Sequence, residues 1–172
     1  MKILGLDVST KSTGWFITKR SCGVITPDPK LSFGEKLVVF RKELEALLEK
    51  YKPDLVVIED AYFRAGFGNI HTLKALVKFA GVAQELCASL EIQTEIITAT
   101  TARKHCCGTQ DSPFKKKEVF GFFKKKYNLD DWTFSKHNDI TDAMALVWGY
   151  RGLIKAEKES AKKKSGKKKK RE

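Results

Sequence analysis

Apolar and polar positions along the chain fall into short blocks whose period changes from one element to the next. Residues 2 to 8, Lys2-Ile3-Leu4-Gly5-Leu6-Asp7-Val8, have the apolar density of a strand at the centre of a sheet. The polar turn Ser9-Thr10-Lys11-Ser12-Thr13-Gly14 leads to a second strand, Trp15-Phe16-Ile17-Thr18. A short third strand, Gly23-Val24-Ile25-Thr26, is halted by Pro27 and Pro29. Short connections join these three as an antiparallel meander. From Phe33 to Tyr51 the period becomes helical, with Leu37, Phe40, Leu44, Leu47 and Leu48 on one face and Ser32 as the cap. Pro53-Asp54 ends that helix, and Leu55-Val56-Val57-Ile58-Glu59 is a fourth strand.

After the loop Arg64-Ala65-Gly66-Phe67-Gly68-Asn69, residues 70 to 90 read as a long helix through Leu73, Leu76, Val77, Ala80, Ala83 and Leu86. Residues 92 to 98 form the fifth strand. Thr100 or Thr101 then caps a short helix ending at Lys104, a basic helix covers Lys115 to Tyr127, and a last helix covers 138 to 154. The order predicts an α/β fold: a five-stranded mixed sheet, three antiparallel strands then two parallel, flanked by helices. Strands one, four and five are parallel because helical crossovers link them. Asp7 and Glu59 then sit at the carboxyl ends of adjacent strands, where open α/β sheets place their ligands.

Charge refines the domain picture. The chain has 172 residues and a net charge of +12. Residues 155 to 172 hold ten Lys or Arg against three Glu, a net of +7. The expectation is one domain over residues 1–154, followed by a disordered Lys-rich tail over 155–172 that binds nucleic-acid phosphates without sequence preference. The tail also has the composition of a nuclear-localisation run. No apolar run reaches the length of a membrane span, and the N-terminus enters a strand pattern directly, so a cytoplasmic protein without membrane contact is expected. The four cysteines, Cys22, Cys87, Cys106 and Cys107, have no paired CxxC spacing and read as reduced thiols rather than a zinc site.

Candidate chemistry rests on four acids at the ends of apolar segments: Asp7, Glu59, Asp139 and Asp142. A carboxylate at the edge of a buried strand is costly unless its charge is compensated. Four that converge repel one another unless divalent cations lie between them, and hard oxygen ligands suit Mg²⁺ or Mn²⁺. Asp139 and Asp142, three apart, share a helix face and, in a first turn, meet the positive end of the helix dipole. Singly, each acid has a plainer reading: helix capping for Asp139 and Asp142, turn initiation for Asp7, a lysine partner for Glu59. The four together carry the argument. Asp60 should point away from its neighbour Glu59 and is left outside the site.

Four motifs, Ile3-Leu4-Gly5-Leu6-Asp7, Ser12-Thr13-Gly14-Trp15, Val57-Ile58-Glu59 and Asp139-Ile140-Thr141-Asp142-Ala143, resemble the RuvC family of Holliday-junction resolvases, in order and spacing over about residues 1 to 152. The resemblance implies a ribonuclease-H-like fold, a homodimer, and two Mg²⁺ ions per site (Mn²⁺ substituting) that cut four-way DNA junctions by symmetric nicks. On it, Asp7, Glu59, Asp139 and Asp142 match the catalytic tetrad. Asp7 is the bridging ligand, while Glu59, Asp139 and Asp142 share the remaining roles in an order the residues leave open. His137 either borders the site or lies on an exposed loop.

Lys104 and Lys115-Lys116-Lys117 fall where the family contacts DNA, with Lys124-Lys125-Lys126 as an additional surface. Tyr62 matches an aromatic that stacks on an unpaired base, with Phe63 or Phe67 as alternatives. The chain departs from the family in having Val8-Ser9-Thr10 where bacterial members usually carry a glycine, and in its Lys-rich tail. Both features resemble the shorter members carried by phages and other viruses, so a bacterial or phage-infected cell is the expected host. The helix over 70 to 90 is either the dimer interface or a buried core helix. Competing readings are a broader branched-DNA, flap or hybrid nuclease of the same fold, a non-catalytic DNA-binding protein, and an actin-like or sugar-kinase ATPase. The ATPase needs a second domain for which the chain has no room.

Overall fold

The computed structural model describes residues 1–61, 69–107 and 115–168. Five strands and five helices follow one another: β1 (Ile3–Asp7), β2 (Thr13–Thr18), β3 (Ser21–Ile25), α1 (Phe33–Tyr51), β4 (Leu55–Glu59), α2 (Ile70–Ser89), β5 (Gln93–Ile97), α3 (Ala99–Cys106), α4 (Lys116–Tyr127) and α5 (Phe134–Lys168). The strands form one sheet in the order β3-β2-β1-β4-β5. β1 pairs antiparallel with β2 and parallel with β4, and β4 pairs parallel with β5. This is the mixed sheet that the hydrophobic pattern predicts.

Period-two alternation explains why β1 and β4 are apolar almost throughout. Ile3, Leu55 and Val57 face one core with Ala143, Met144, Val147 and Phe123. Leu4, Leu6, Val56 and Ile58 face the other with Phe40, Leu44, Phe79 and Ala83. Both faces of the sheet are thus covered by helices. At the start of α1, Ser32 Oγ accepts from Glu35 N–H, while Glu35 Oε2 accepts from Ser32 N–H, a reciprocal cap.

Several helix boundaries differ from the expectations, α3 ending at Cys106 rather than Lys104 among them. α3 starts at Ala99 under Thr98, whose Oγ1 accepts from Thr101 N–H, so neither Thr100 nor Thr101 is the cap. α5 starts at Phe134, about one turn before residue 138. Asp139 and Asp142 therefore lie beyond the first turn, and the helix dipole, which acts within that turn, contributes little to them. α5 also runs on to Lys168, through most of the segment expected to be a disordered tail. Ala, Lys and Glu dominate Lys155–Ser165 with no proline or glycine to stop the helix.

α5 is seated on the sheet by missing side chains. A Cβ at Gly5 would overlap the Ala143 carbonyl and lie 2.9 Å from Val147 Cγ2. One at Gly14 would overlap the Asp139 carbonyl. Gly14 pairs with Asp7, and Gly5 lies two residues earlier on β1. The helix thus advances from 139 to 147 as β1 runs back from its carboxyl end, antiparallel to the strand. Further along, a Cβ on Gly149 would meet Ala102 Cα at 2.6 Å, and one on Gly152 would overlap the His105 carbonyl, so α3 packs equally close.

Candidate active site

The parallel register of β1 and β4, with Leu6 opposite Ile58, puts Asp7 and Glu59 side by side at the carboxyl edge of the sheet. Their carboxyl groups are within hydrogen-bonding reach of each other. The close seating of α5 over Gly14 adds Asp139 and Asp142 from above. Asp7 interacts electrostatically with both Glu59 and Asp142, and Asp142 in turn with Glu59 and Asp139. Asp139 acts on Asp142, so the four acids form one electrostatic chain at this edge of the sheet.

Burial and mutual repulsion shape their protonation. Burial, then the negative charges of Glu59 and Asp142, push the Asp7 carboxyl up to about 9. Burial likewise raises Glu59, although its hydrogen bond with Asp7 acts in the opposite direction. Asp142, only 4% exposed, is raised by burial against the favourable pull of Lys116 and Arg103. A site of this kind is short of positive charge.

Two cations on neighbouring helices supply part of it. Lys116 Nζ lies 2.7 Å from Asp142 Oδ2 and 4.0 Å from Asp139 Oδ1. Burial acts to lower its ammonium, but the hydrogen bond and attraction to Asp142, with Asp7 and Asp139 adding, leave it raised. Arg103 Nη2 is 3.5 Å from Asp142 Oδ1 without hydrogen-bond geometry, so that buried oxygen has no hydrogen-bond partner. An orphaned carboxylate oxygen normally costs about 1–3 kcal/mol or more, which marks this atom as one meant for a ligand.

A ligand set of four carboxylates fits a hard divalent cation. Among the described residues, no three such side chains are already gathered to grip a metal. Lys116 ion-pairs with both α5 acids.

The surrounding loops are built for the site. Thr13 is buried, and its Oγ1 donates to Ser9 O and accepts from Ser9 N–H, fixing the turn that follows Asp7. A cavity of about 450 Å³ opens beside Glu59, lined by Val8, Asp60, Leu76, Ala80, Thr98 and Thr100. Asp60, left outside the acid group, lines that cavity. His137 belongs to neither a loop nor the acid cluster. It lies within α5, its ring stacked on Trp132 at 4.7 Å and its Nδ1 accepting from Thr133 N–H.

The remaining expected residues divide. Lys115 and Lys117 are exposed at the start of α4, and Lys104 is exposed on α3. Lys116, expected with them as a DNA contact, is instead turned onto the acids. Tyr62, Phe63 and Phe67 lie outside the described residues. Arg103 was not foreseen. Nothing local distinguishes it from Lys104, and only the packing of α3 against α5 aims it at Asp142.

Comparison with known proteins places this arrangement in a family. A family model described as "Crossover junction endodeoxyribonuclease RuvC" matches residues 3–149. A RuvC of Thermosipho melanesiensis is 28% identical over 156 residues, covering 86% of this chain and 95% of the relative. One from Syntrophomonas wolfei is 26% identical, covering 86% of each. Among solved structures, Thermus thermophilus RuvC in complex with a Holliday junction substrate superposes with a TM-score of 0.74 at 13% identity, covering 90% of this chain and 94% of that one. The yeast mitochondrial Holliday junction resolvase Ydc2 gives 0.62 at 13%, covering 88% and 78%. At those identities the structural likeness establishes the fold, which is ribonuclease-H-like. The family consists of metal-dependent nucleases. The chain belongs to the RuvC family of crossover junction endodeoxyribonucleases.

Proposed function

We propose that this protein resolves four-way DNA junctions by paired symmetric nicks, using two divalent cations, Mg²⁺ or in its place Mn²⁺, held by Asp7, Glu59, Asp139 and Asp142. The observation that carries the reading is the electrostatic contact of Asp142 with Asp7, Glu59 and Asp139, four acids from three elements, together with a buried Asp142 oxygen that has no hydrogen-bond partner. Bound there, the cations would activate water and stabilise the departing 3′ oxygen, leaving 5′-phosphate and 3′-hydroxyl ends.

The chain's own residues prepare that chemistry. Asp7, which interacts with both Glu59 and Asp142, would hold a cation with them. Lys116 offsets the Asp139 and Asp142 charges, and Arg103 lies beside the same acids. Lys115 and Lys117, both exposed, supply backbone contacts around the cut. Tyr62 stacks on a base at the opened junction centre.

Symmetric cutting calls for two sites related by a two-fold axis. We place the homodimer contact on α2 and the neighbouring edge strand β5. Val77 is 52% exposed there, and Ile70 and Ile96 are each 46% exposed. No helix among the described residues is long and apolar enough to cross a membrane.

The test is cleavage of a labelled four-way junction beside matched duplex, flap and Y-fork, with Mg²⁺ and with EDTA. Paired symmetric nicks in the junction alone, lost in EDTA, are expected. Equal cutting of flaps or forks would make the protein a general branch nuclease. No cutting with either Mg²⁺ or Mn²⁺ would leave a DNA-binding protein that has kept the fold.

A further inference from the structure

The part of α5 that leaves the sheet carries a second charged surface. Arg151, Lys155, Lys158 and Lys162 are spaced four, three and four apart, which puts them within about 60° of one another around the helix. All four are exposed. Glu157 and Glu159 are on the same helix, yet among the described residues no carboxylate lies within ion-pair distance of Arg151, Lys155 or Lys158. Like charges at these spacings repel and weaken a helix. Only an anionic partner reverses that cost.

A second element extends the surface. Lys104 and His105, at the end of α3, face Lys155 across a groove of about 670 Å³ floored by Phe122 and Gly152. The stripe continues from it through Arg151, Lys158 and Lys162. Glu159 is the single carboxylate lining either hollow among the described residues.

The stripe is remote from the four acids. α5 runs antiparallel to β1, so each residue after Asp142 is further from the carboxyl edge of the sheet. Arg151 is about 14 Å and Lys158 about 24 Å along the helix from Asp142, on its opposite side. The stripe also lies past residue 149, where the match to the family ends.

We propose that this surface is a distal binding site for duplex DNA, engaging phosphates of a segment other than the one being cut. The proposal rests on the DNA-directed function above. Arg151, Lys155 and Lys158, exposed cations about 4.5 to 6 Å apart along the helix, suit a regular polyanion such as a duplex, whose phosphates recur about every 3.4 Å along each strand. The cutting face and the stripe point to opposite ends of the sheet, so one chain holds two segments at once. The enzyme thereby stays on DNA near a junction after its active site has let go.

The test uses the full chain in EDTA, where no strand is cut. Binding of a labelled duplex of about 30 base pairs is followed by anisotropy over a salt series. The triple variant Arg151→Gln/Lys155→Gln/Lys158→Gln should make the plot of log affinity against log salt shallower by about 2 to 3, one phosphate contact per residue lost. The charge-preserving Arg151→Lys/Lys155→Arg/Lys158→Arg should keep the wild-type slope. In a second measurement, protein loaded on an immobilised junction should capture a free labelled duplex, and the Gln variant should lose that capture.

An unchanged slope in the Gln variant overturns the proposal and leaves the stripe to an acidic protein partner. Equal loss in the charge-preserving variant also overturns it, since structure and not charge would then be the cause. Failure of the wild type to capture a second duplex removes the separate site. Junction cleavage in Mg²⁺ is scored independently, so loss of capture with intact cleavage leaves the resolvase reading standing.

Discussion

Replacing Gly14 by alanine should damage this enzyme out of proportion to the one methyl group added. The new Cβ would overlap the Asp139 carbonyl carbon and oxygen, and even the third-nearest atom, Ile140 N, would lie at 3.0 Å. All three are backbone atoms, so no rotamer change relieves the contact. The helix must retreat by roughly 1 Å to recover ordinary van der Waals separation. Overpacking of this kind costs about 3 kcal/mol, the upper end of its usual range, because a whole helix moves. For a chain of this size, that corresponds to a Tm lowered by about 6–12 °C.

The retreating segment carries Asp139 and Asp142, and a 1 Å misplacement of catalytic groups costs about a hundredfold in rate. The assay is thermal unfolding beside single-turnover junction cleavage at a temperature where both proteins are folded. Gly121→Ala is the control: it lies in α4 with nothing within 4 Å of the added atom, and should stabilise by about 0.5–1 kcal/mol. A Gly14→Ala protein that melts within 2 °C of wild type (about the measurement error) and cleaves at its rate would refute the claim that α5 is seated by this glycine.

Four other expectations follow from the site. Asp7→Asn should abolish cleavage while junction binding persists in a gel-shift assay; equal loss of both would indicate misfolding. In EDTA, stability should fall as pH rises from about 4 towards 9. Across that window the folded protein keeps a proton on Asp7, raised to about 9, that the unfolded chain releases near 3.8. Melting curves at pH 5, 7 and 9 should show the decline in wild type and a flatter profile in Asp7→Asn, and free Mg²⁺ at a hundred times its Kd should restore about 2.7 kcal/mol at pH 8. Lys116→Met should destabilise the metal-free protein by roughly 1–3 kcal/mol, less than a fully buried pair because the lysine is partly exposed, with the deficit narrowing in Mg²⁺; calorimetry with and without Mg²⁺ decides it. Val77→Glu should convert a dimer to a monomer in sedimentation and suppress paired nicking, and an unaltered dimer would move the interface off α2.

Much of this was legible in the chain because local and global preferences agree. β1 and β4 are continuous apolar runs that only a doubly covered strand explains, and their last residues are the acids Asp7 and Glu59. Ser32 with Glu35 is a capping box, and α1 starts where it says. Where several residues are locally equivalent, the sequence is silent. Thr98, Thr100 and Thr101 are all competent caps, and the end of β5 at Ile97 selects the first. Lys115, Lys116 and Lys117 are chemically alike, and the angle at which α4 meets α5 turns only Lys116 onto the acids. The extension of α5 is hidden for a different reason: its low-complexity composition resembles that of a tail, while the helix propensity of Lys, Glu and Ala carries the backbone on to Lys168.

The placement of the last two acids on α5 has a consequence for the cell that makes the protein. Asp7 and Glu59 are synthesised early, but Asp142 follows Glu59 by 83 residues. At about 5–20 residues per second, that is a delay of about 4 to 17 s. During this interval the emerging chain has half of its acids, and the surface over Gly5 and Gly14 has no helix to cover it. On the proposed function, such a chain lacks two of the four site acids, and the docking of α5 that completes the core also completes that group.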